Sequence, residues 1–135
     1  MQMPTQLSFG DFVKLLAALL QNKKIRIPFK NEELWHILFY KLTQSARPYK
    51  PRSLTNVRFD WDGPYPKSQQ LSEFIKALHC TASVTASNPY YETITLPGEL
   101  ENIWMEQFNM LSGDDKDFLN FAAEEGQHIF TIHGQ

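Results

Sequence analysis

A single cysteine, Cys80, leaves the chain no means of forming an internal disulfide, which fits the reducing cytoplasm. No apolar run approaches the ~20 residues needed to span a bilayer, so no membrane association is expected. The first residues, Met1-Gln2-Met3-Pro4-Thr5-Gln6, have neither the charged region nor the apolar stretch of a signal peptide. Internal repeats and low-complexity segments are missing too. The four histidines, His36, His79, His128 and His133, have no ligand spacing, so neither a metal site nor another cofactor is expected. Cys80 sits beside His79 with no nucleophile signature around it, and a lone cysteine at a helix end is usually a small apolar filler. These absences point away from an enzyme.

What is present is enough for a core. The chain has 135 residues, 42% apolar and 13% aromatic, and is read as a single domain spanning 1–135. A chain of this size buries about two-thirds of its unfolded surface. Its net charge of −2 hides an asymmetry. Residues 1–58 carry ten Lys and Arg against Asp11, Glu32 and Glu33, a net +7; residues 59–135 carry three Lys against twelve carboxylates, a net −9. Such a chain binds a polyanion with one end, a second copy of itself, or its own other half. The last of these is the simplest expectation.

Apolar spacing predicts a first helix over about Phe9–Gln21, capped by Ser8. Ile25-Arg26-Ile27-Pro28-Phe29 alternates as a short strand that Pro28 confines to an edge. Asn31 is placed to cap a second helix whose residues from Leu34 to Leu42 are apolar almost all round, the mark of a central element. From Ser45 to Pro66 the pattern breaks into a proline-rich basic loop, with a brief strand within Leu54–Trp61. A third helix is expected from Ser68 to His79, then strands at Ala82–Ala86 and Tyr90–Leu96, and a fourth helix over about Glu99–Leu111. A fifth starts at Asp114 or Asp115 and stops at Gly126, with a last strand over Gln127–His133.

One segment stands out: Phe59-Asp60-Trp61-Asp62-Gly63-Pro64-Tyr65-Pro66-Lys67-Ser68-Gln69-Gln70-Leu71. It reads as a stiff turn running into a helix. Gly63 is expected to take backbone angles that other residues avoid, Pro64 and Pro66 fix φ, and Ser68 caps the helix. Asp60 and Asp62 are expected to stiffen the turn through backbone bonds, and Trp61 to pack onto the third helix.

The element order over 9–96 is that of an α+β, winged-helix-like core of three helices and a β-hairpin, with 97–135 as a C-terminal helical extension. On that reading Gln69, Gln70, Ser72, Glu73, Lys76 and Ala77 face outward, and Gln69 and Gln70 suit base edges. Cations, however, are few there. They gather at Arg47, Lys50, Arg52 and Arg58, beside Tyr49. This loop joins Gln69, Gln70 and Lys76 as the candidate binding set, and suits a protein partner, with duplex DNA as the alternative.

The Gly-Pro segment also resembles the aromatic-Gly-Pro-aromatic-x-x-Ser-x-x-Leu stretch of Panacea-domain (SocA-like) antitoxins and the related YwgA-like proteins. Thr95-Leu96-Pro97-Gly98 is similar to the Leu-Thr-x-x-Gly pattern that ends those proteins. The resemblance covers about residues 9–98. It implies a small cytoplasmic protein that binds a toxin or another protein and does no catalysis. The expected function is therefore a non-catalytic cytoplasmic binding protein, antitoxin-like or adaptor; a winged-helix DNA-binding regulator is the alternative. The oligomeric state is left open.

Overall fold

The computed structural model describes residues 7–25, 27–28, 32–55, 57–81 and 93–133, with backbone alone at 28, 78–81, 93–94 and 131–133. The expected cap Asn31, the strand Ala82–Ala86 and the start of Tyr90–Leu96 lie outside these residues. So do the side chains of His79, Cys80 and His133.

Helix α1 spans Phe9–Asn22, and the Ser8 hydroxyl accepts from the Asp11 N–H at 3.1 Å, satisfying one of the free donors at its start. Leu15, Leu16, Ala17, Ala18, Leu19 and Leu20 are all buried. A helix covered on every side belongs at the centre, and α1 is that element. It ends in a Schellman turn: Lys24 is left-handed (φ 65°), its N–H reaches the Gln21 carbonyl, and the Ile25 N–H reaches that of Leu20.

Next come strand β1 (Ile27–Pro28), helix α2 (Glu32–Thr43), the single turn α3 (Arg52–Thr55) and helix α4 (Gln69–Thr81). Strand β2 (Thr93–Ile94) and helices α5 (Gly98–Asn109) and α6 (Gly113–His133) complete the order. Trp35 and Leu38 of α2 are fully shielded and Leu34 nearly so, as its apolar circumference predicts. The Trp35 ring lies 6.2 Å from that of Phe39 and 5.5 Å from Phe130 of α6.

The winged-helix expectation fails. Among the described residues the chain is six helices with one sheet of two short strands. β2 pairs antiparallel with β1, Ile27 opposite Ile94, and so with the far end of the chain. The cause is the packing of α5 on α1, which lays the residue run leaving α1 beside the run entering α5. The Gln21 amide tightens this junction: its Nε2 donates to the Leu96 carbonyl at 2.9 Å and its Oε1 accepts from the Leu96 N–H at 2.6 Å. A side chain thus fills both backbone positions that a neighbouring strand would fill. The α5 and α6 segments also feed the same core as α1 and α2, through Trp104, Phe108, Phe118, Leu119, Ala122 and Phe130.

Three local expectations also change. Leu54–Trp61 begins with helix, not strand, because α3 tucks Leu54 inward and bonds the Leu54 N–H to the Pro51 carbonyl. Gly126 does not stop a helix; α6 runs through it to His133, and the Gln127–His133 segment is helical. A Cβ at Gly126 would meet Leu38 Cδ2 at 3.4 Å and Leu20 Cδ2 at 3.5 Å, ordinary contact distances, so Gly126 sits on the buried face of α6. Ile129 and Phe130 then continue the buried stripe of Phe118, Leu119, Ala122 and Ala123, which carries the helix past the glycine. Gly63 has no positive φ and open space around its Cα, so the turn asks nothing special of it.

Candidate functional site

The face built by the 57–69 segment on α2 is held at its base by a polar network. The Asp60 and Lys67 backbones exchange hydrogen bonds of 2.8 and 2.9 Å, closing a loop over residues 61–66. The closure is made by main chain, and neither Asp60 nor Asp62 makes a side-chain hydrogen bond among the described residues. Ser68 follows, fully buried, with its Oγ accepting from the Leu71 N–H at 3.1 Å as the α4 cap.

The Ser68 N–H donates to Nδ1 of His36 at 3.0 Å. His36 is completely shielded from solvent. Its Nε2 lies 3.2 Å from Glu32 Oε1 and 3.3 Å from Ser72 Oγ, and the Ser72 hydroxyl donates to the same Glu32 oxygen. Because Nδ1 accepts, the proton of the neutral ring sits on Nε2 and points at Glu32. The Tyr65 ring lies against that of His36, tilted by 39° with centroids 5.7 Å apart. Burial pushes His36 below the ordinary imidazole value; the bond and charge of Glu32 recover only part, and Lys67 pushes it further down. Burial alone would raise the Glu32 carboxyl, but the bonds from Ser72 and His36 and the charges of His36 and Lys67 hold it below the usual range. Burial, then Glu32 and Glu33, raise the Tyr65 phenol.

Serine, histidine and glutamate in contact invite comparison with a nucleophile relay, which needs the two partners on opposite ring nitrogens. Here Ser72 and Glu32 share Nε2, Nδ1 is occupied by a backbone N–H, and Ser72 is buried. The arrangement locks α2, the turn and α4 together and presents no activated hydroxyl. Among the described residues, no three His, Cys, Asp or Glu side chains are grouped to hold a metal ion.

Outside this lock, the Tyr40 ring takes Phe59 and Trp61 edge-on, with centroids 5.4 and 5.3 Å away. Trp61 is 60% exposed and stands against α2 through Tyr40, so the expectation that it packs onto the third helix is corrected. Three hollows open along the 57–69 segment and its neighbours, and Trp61 lines one of them. One of about 340 Å³ lies inside the turn, between Asp60, Asp62, Tyr65, Lys67 and Gln69. Another of about 360 Å³ is walled by Tyr40, Lys50, Val57, Phe59 and Trp61. The third, of about 580 Å³, is lined by Arg58, Phe59, Asp60, Gln69 and Gln70.

The candidate residues therefore divide. Lys50, Arg58, Gln69 and Gln70 meet on this face, with Gly63 and Pro64 at the exposed tip and Ser68 beneath. Lys50 spends one donor on the Thr43 carbonyl at 2.9 Å. Arg47 and Tyr49 turn instead to α6: the guanidinium lies 4.6 Å over the Phe121 ring, and the Tyr49 hydroxyl donates to Asp115. Burial, that bond, and the charges of Asp115 and Asp114 push the Tyr49 phenol up to about 12. Arg52 and Lys76 are exposed on α3 and α4 without joining the three hollows. Of the face expected on the third helix, Gln69, Gln70, Glu73, Lys76 and Ala77 do point outward, while Ser72 points in.

The sequence reading took His36 as an isolated imidazole and missed its network. The available signal was spacing: Glu32 and His36, like Ser68 and Ser72, are four apart and share a helix face. Comparisons with protein-family models, curated proteins and solved structures give no match.

Proposed function

We propose that this chain is a non-catalytic binding protein that recognises another protein through the Trp61 face, in an antitoxin-like or adaptor role in the cytoplasm. The carrying observation is the exposure of Trp61 on a turn whose base is fixed by the Asp60–Lys67 pair and the buried His36 network. A large aromatic held rigidly in solvent loses little entropy on binding and makes an effective anchor. Tyr40 and Phe59 extend the apolar contact, and the hollow that Trp61 lines, with the one that shares Phe59, admits a partner's side chains. The single cysteine, the resemblance of the Gly-Pro segment to SocA-like antitoxins and the unreactive setting of Ser72 favour the same reading.

Duplex DNA binding has one observation in its favour, the meeting of Arg58 with Gln69 and Gln70 around one hollow. Asp60 shares that hollow, and Arg47 is committed to Phe121. The two readings separate in a single design. A photo-crosslinking residue at position 61 should capture one protein, and titration of the purified pair should lose about tenfold or more in affinity with Trp61→Ala. Selection of a defined sequence from a random duplex pool, with steep salt dependence, would overturn the protein reading.

A further inference from the structure

We propose that the Ser68–His36 hydrogen bond is an acid-sensitive latch: when His36 takes a second proton, the Asp60–Lys67 turn and the first turn of α4 part from α2, while the remaining helices stay packed.

The geometry leaves the second proton no place. Nδ1 accepts from the Ser68 N–H, so a proton arriving there sets N–H against N–H. Among the described residues Nδ1 meets no partner but the Ser68 N–H, so a proton there finds no acceptor in place. A buried donor facing a donor is relieved only by separation or by water. Glu32 on α2 draws the ring toward the charged state, but it does so at Nε2, on the other side of the ring from Ser68. Lys67, on the turn itself, adds repulsion toward a charged ring. Tyr65 of the turn faces the ring, and Ser72 of α4 shares its Nε2. Among the described residues, the other elements packed on α2, namely α3, α6 and β1, bring no charged group to bear on His36.

The part that opens and the part that stays are held differently. Among the described residues the turn joins α2 through this bond, the Tyr65–His36 ring contact and the edge contacts of Tyr40, and Ser72 at the start of α4 adds a hydrogen bond to Glu32. The opposite side of α2 is apolar and packs on α6 through Trp35 and Phe130. Opening the latch moves Trp61 relative to the hollows beside it, so acid would alter the binding face whatever partner occupies it.

The test is a titration of the full chain from about pH 8 down to about pH 4, past the ordinary histidine range because His36 is lowered, and a ring still neutral at the end would overturn the latch. Proton–nitrogen NMR follows the Ser68 amide and the Trp61 indole, the His36 ring protons report its charge, and circular dichroism follows the helices. The expected result is one shared midpoint for His36, Ser68 and Trp61, with a lower Ser68 amide protection factor below it, taken against the intrinsic exchange rate at each pH, and helix content unchanged. His36→Asn keeps an acceptor near the Nδ1 position and cannot charge, so it should abolish the shifts. His36→Gln, which leaves the Ser68 N–H unpaired, should show the acid-form spectrum at neutral pH. A Ser68 amide that stays still while His36 charges would overturn the latch, as would loss of helix at the same midpoint. The wild-type titration alone decides if either variant does not fold.

Discussion

The two sides of α2 are built on different principles. One side presents Trp35, Leu38, Phe39 and Leu42 to α1 and α6, where shape and area hold the contact. The other presents Glu32, His36 and Tyr40, one helical turn apart, to the 57–69 segment and α4, where individual hydrogen bonds and ring edges hold it. Apolar packing is non-directional and spreads over many atoms, whereas a hydrogen-bonded junction depends on a few donors and acceptors. The first side fixes the bundle; the second fixes where the Trp61 face points.

Substitutions on each side of α2, and acid, sharpen this contrast. On the apolar side, Trp35→Ala should cost about 3–5 kcal/mol in denaturant unfolding, because a fully buried ring leaves a cavity between Phe39 and Phe130. A loss below about 1 kcal/mol would mean that the core closes over the gap. On the polar side, Ser68→Ala removes the α4 cap and should cost about 0.5–2 kcal/mol, with the loss of order confined to the turn and α4.

Acid should act on the polar side alone. His36 and Glu32 both hold their folded values below the ordinary ones, so the unfolded chain binds more protons. Their stabilisation is complete above about pH 6.5, the ordinary histidine value. It falls as pH drops through the depressed His36 value, and the Glu32 share is lost below about pH 4.3. Unfolding midpoints that rise on acidification would reverse this sign. His36→Asn should leave only the lower, Glu32-linked part.

The smallest effects belong to the exposed tip. Trp61→Ala and Gly63→Ala should each change stability by no more than about 0.5 kcal/mol, since one ring stands largely in solvent and the other position has open space. Trp61→Ala should nonetheless weaken partner binding, so thermal melts and binding titrations run in parallel separate the two roles. A large drop in melting temperature for Gly63→Ala would restore the strained turn that the backbone angles argue against.

Local signals in the sequence were accurate where the cause was local. Ser8 and Ser68 cap the helices they were expected to cap, because an N-cap bond is made within three residues. The burial of Leu38 and Trp35 followed from the apolar circumference of α2. The failures are of longer range. The strand partner of Thr93–Ile94 is set by how α5 lies on α1, which no short window contains. Gly126 carries the marks of a helix stop, but the burial of Ile129 and Phe130 beyond it, set by tertiary packing, carries α6 onward. The His36 site joins two i,i+4 polar pairs on helices more than thirty residues apart, and each pair alone looks like ordinary helix surface.

The central position of α1 has a consequence for how the chain comes into being. Its apolar circumference is covered by α5 and α6, and its Gln21 amide is bonded to Leu96 and Glu101, 75 and 80 residues later. During synthesis α1 is made first and its covering last. A ribosome adding about 5–20 residues per second leaves that helix waiting for several seconds with Leu15–Leu20 uncovered. Contacts of such long sequence separation also slow folding, because the loop must close before any of them forms. The nascent chain is thus exposed to aggregation at its N-terminal helix until α6 emerges, and truncation before α6 should yield a species retained by chaperones, which pulse-labelled translation products would reveal.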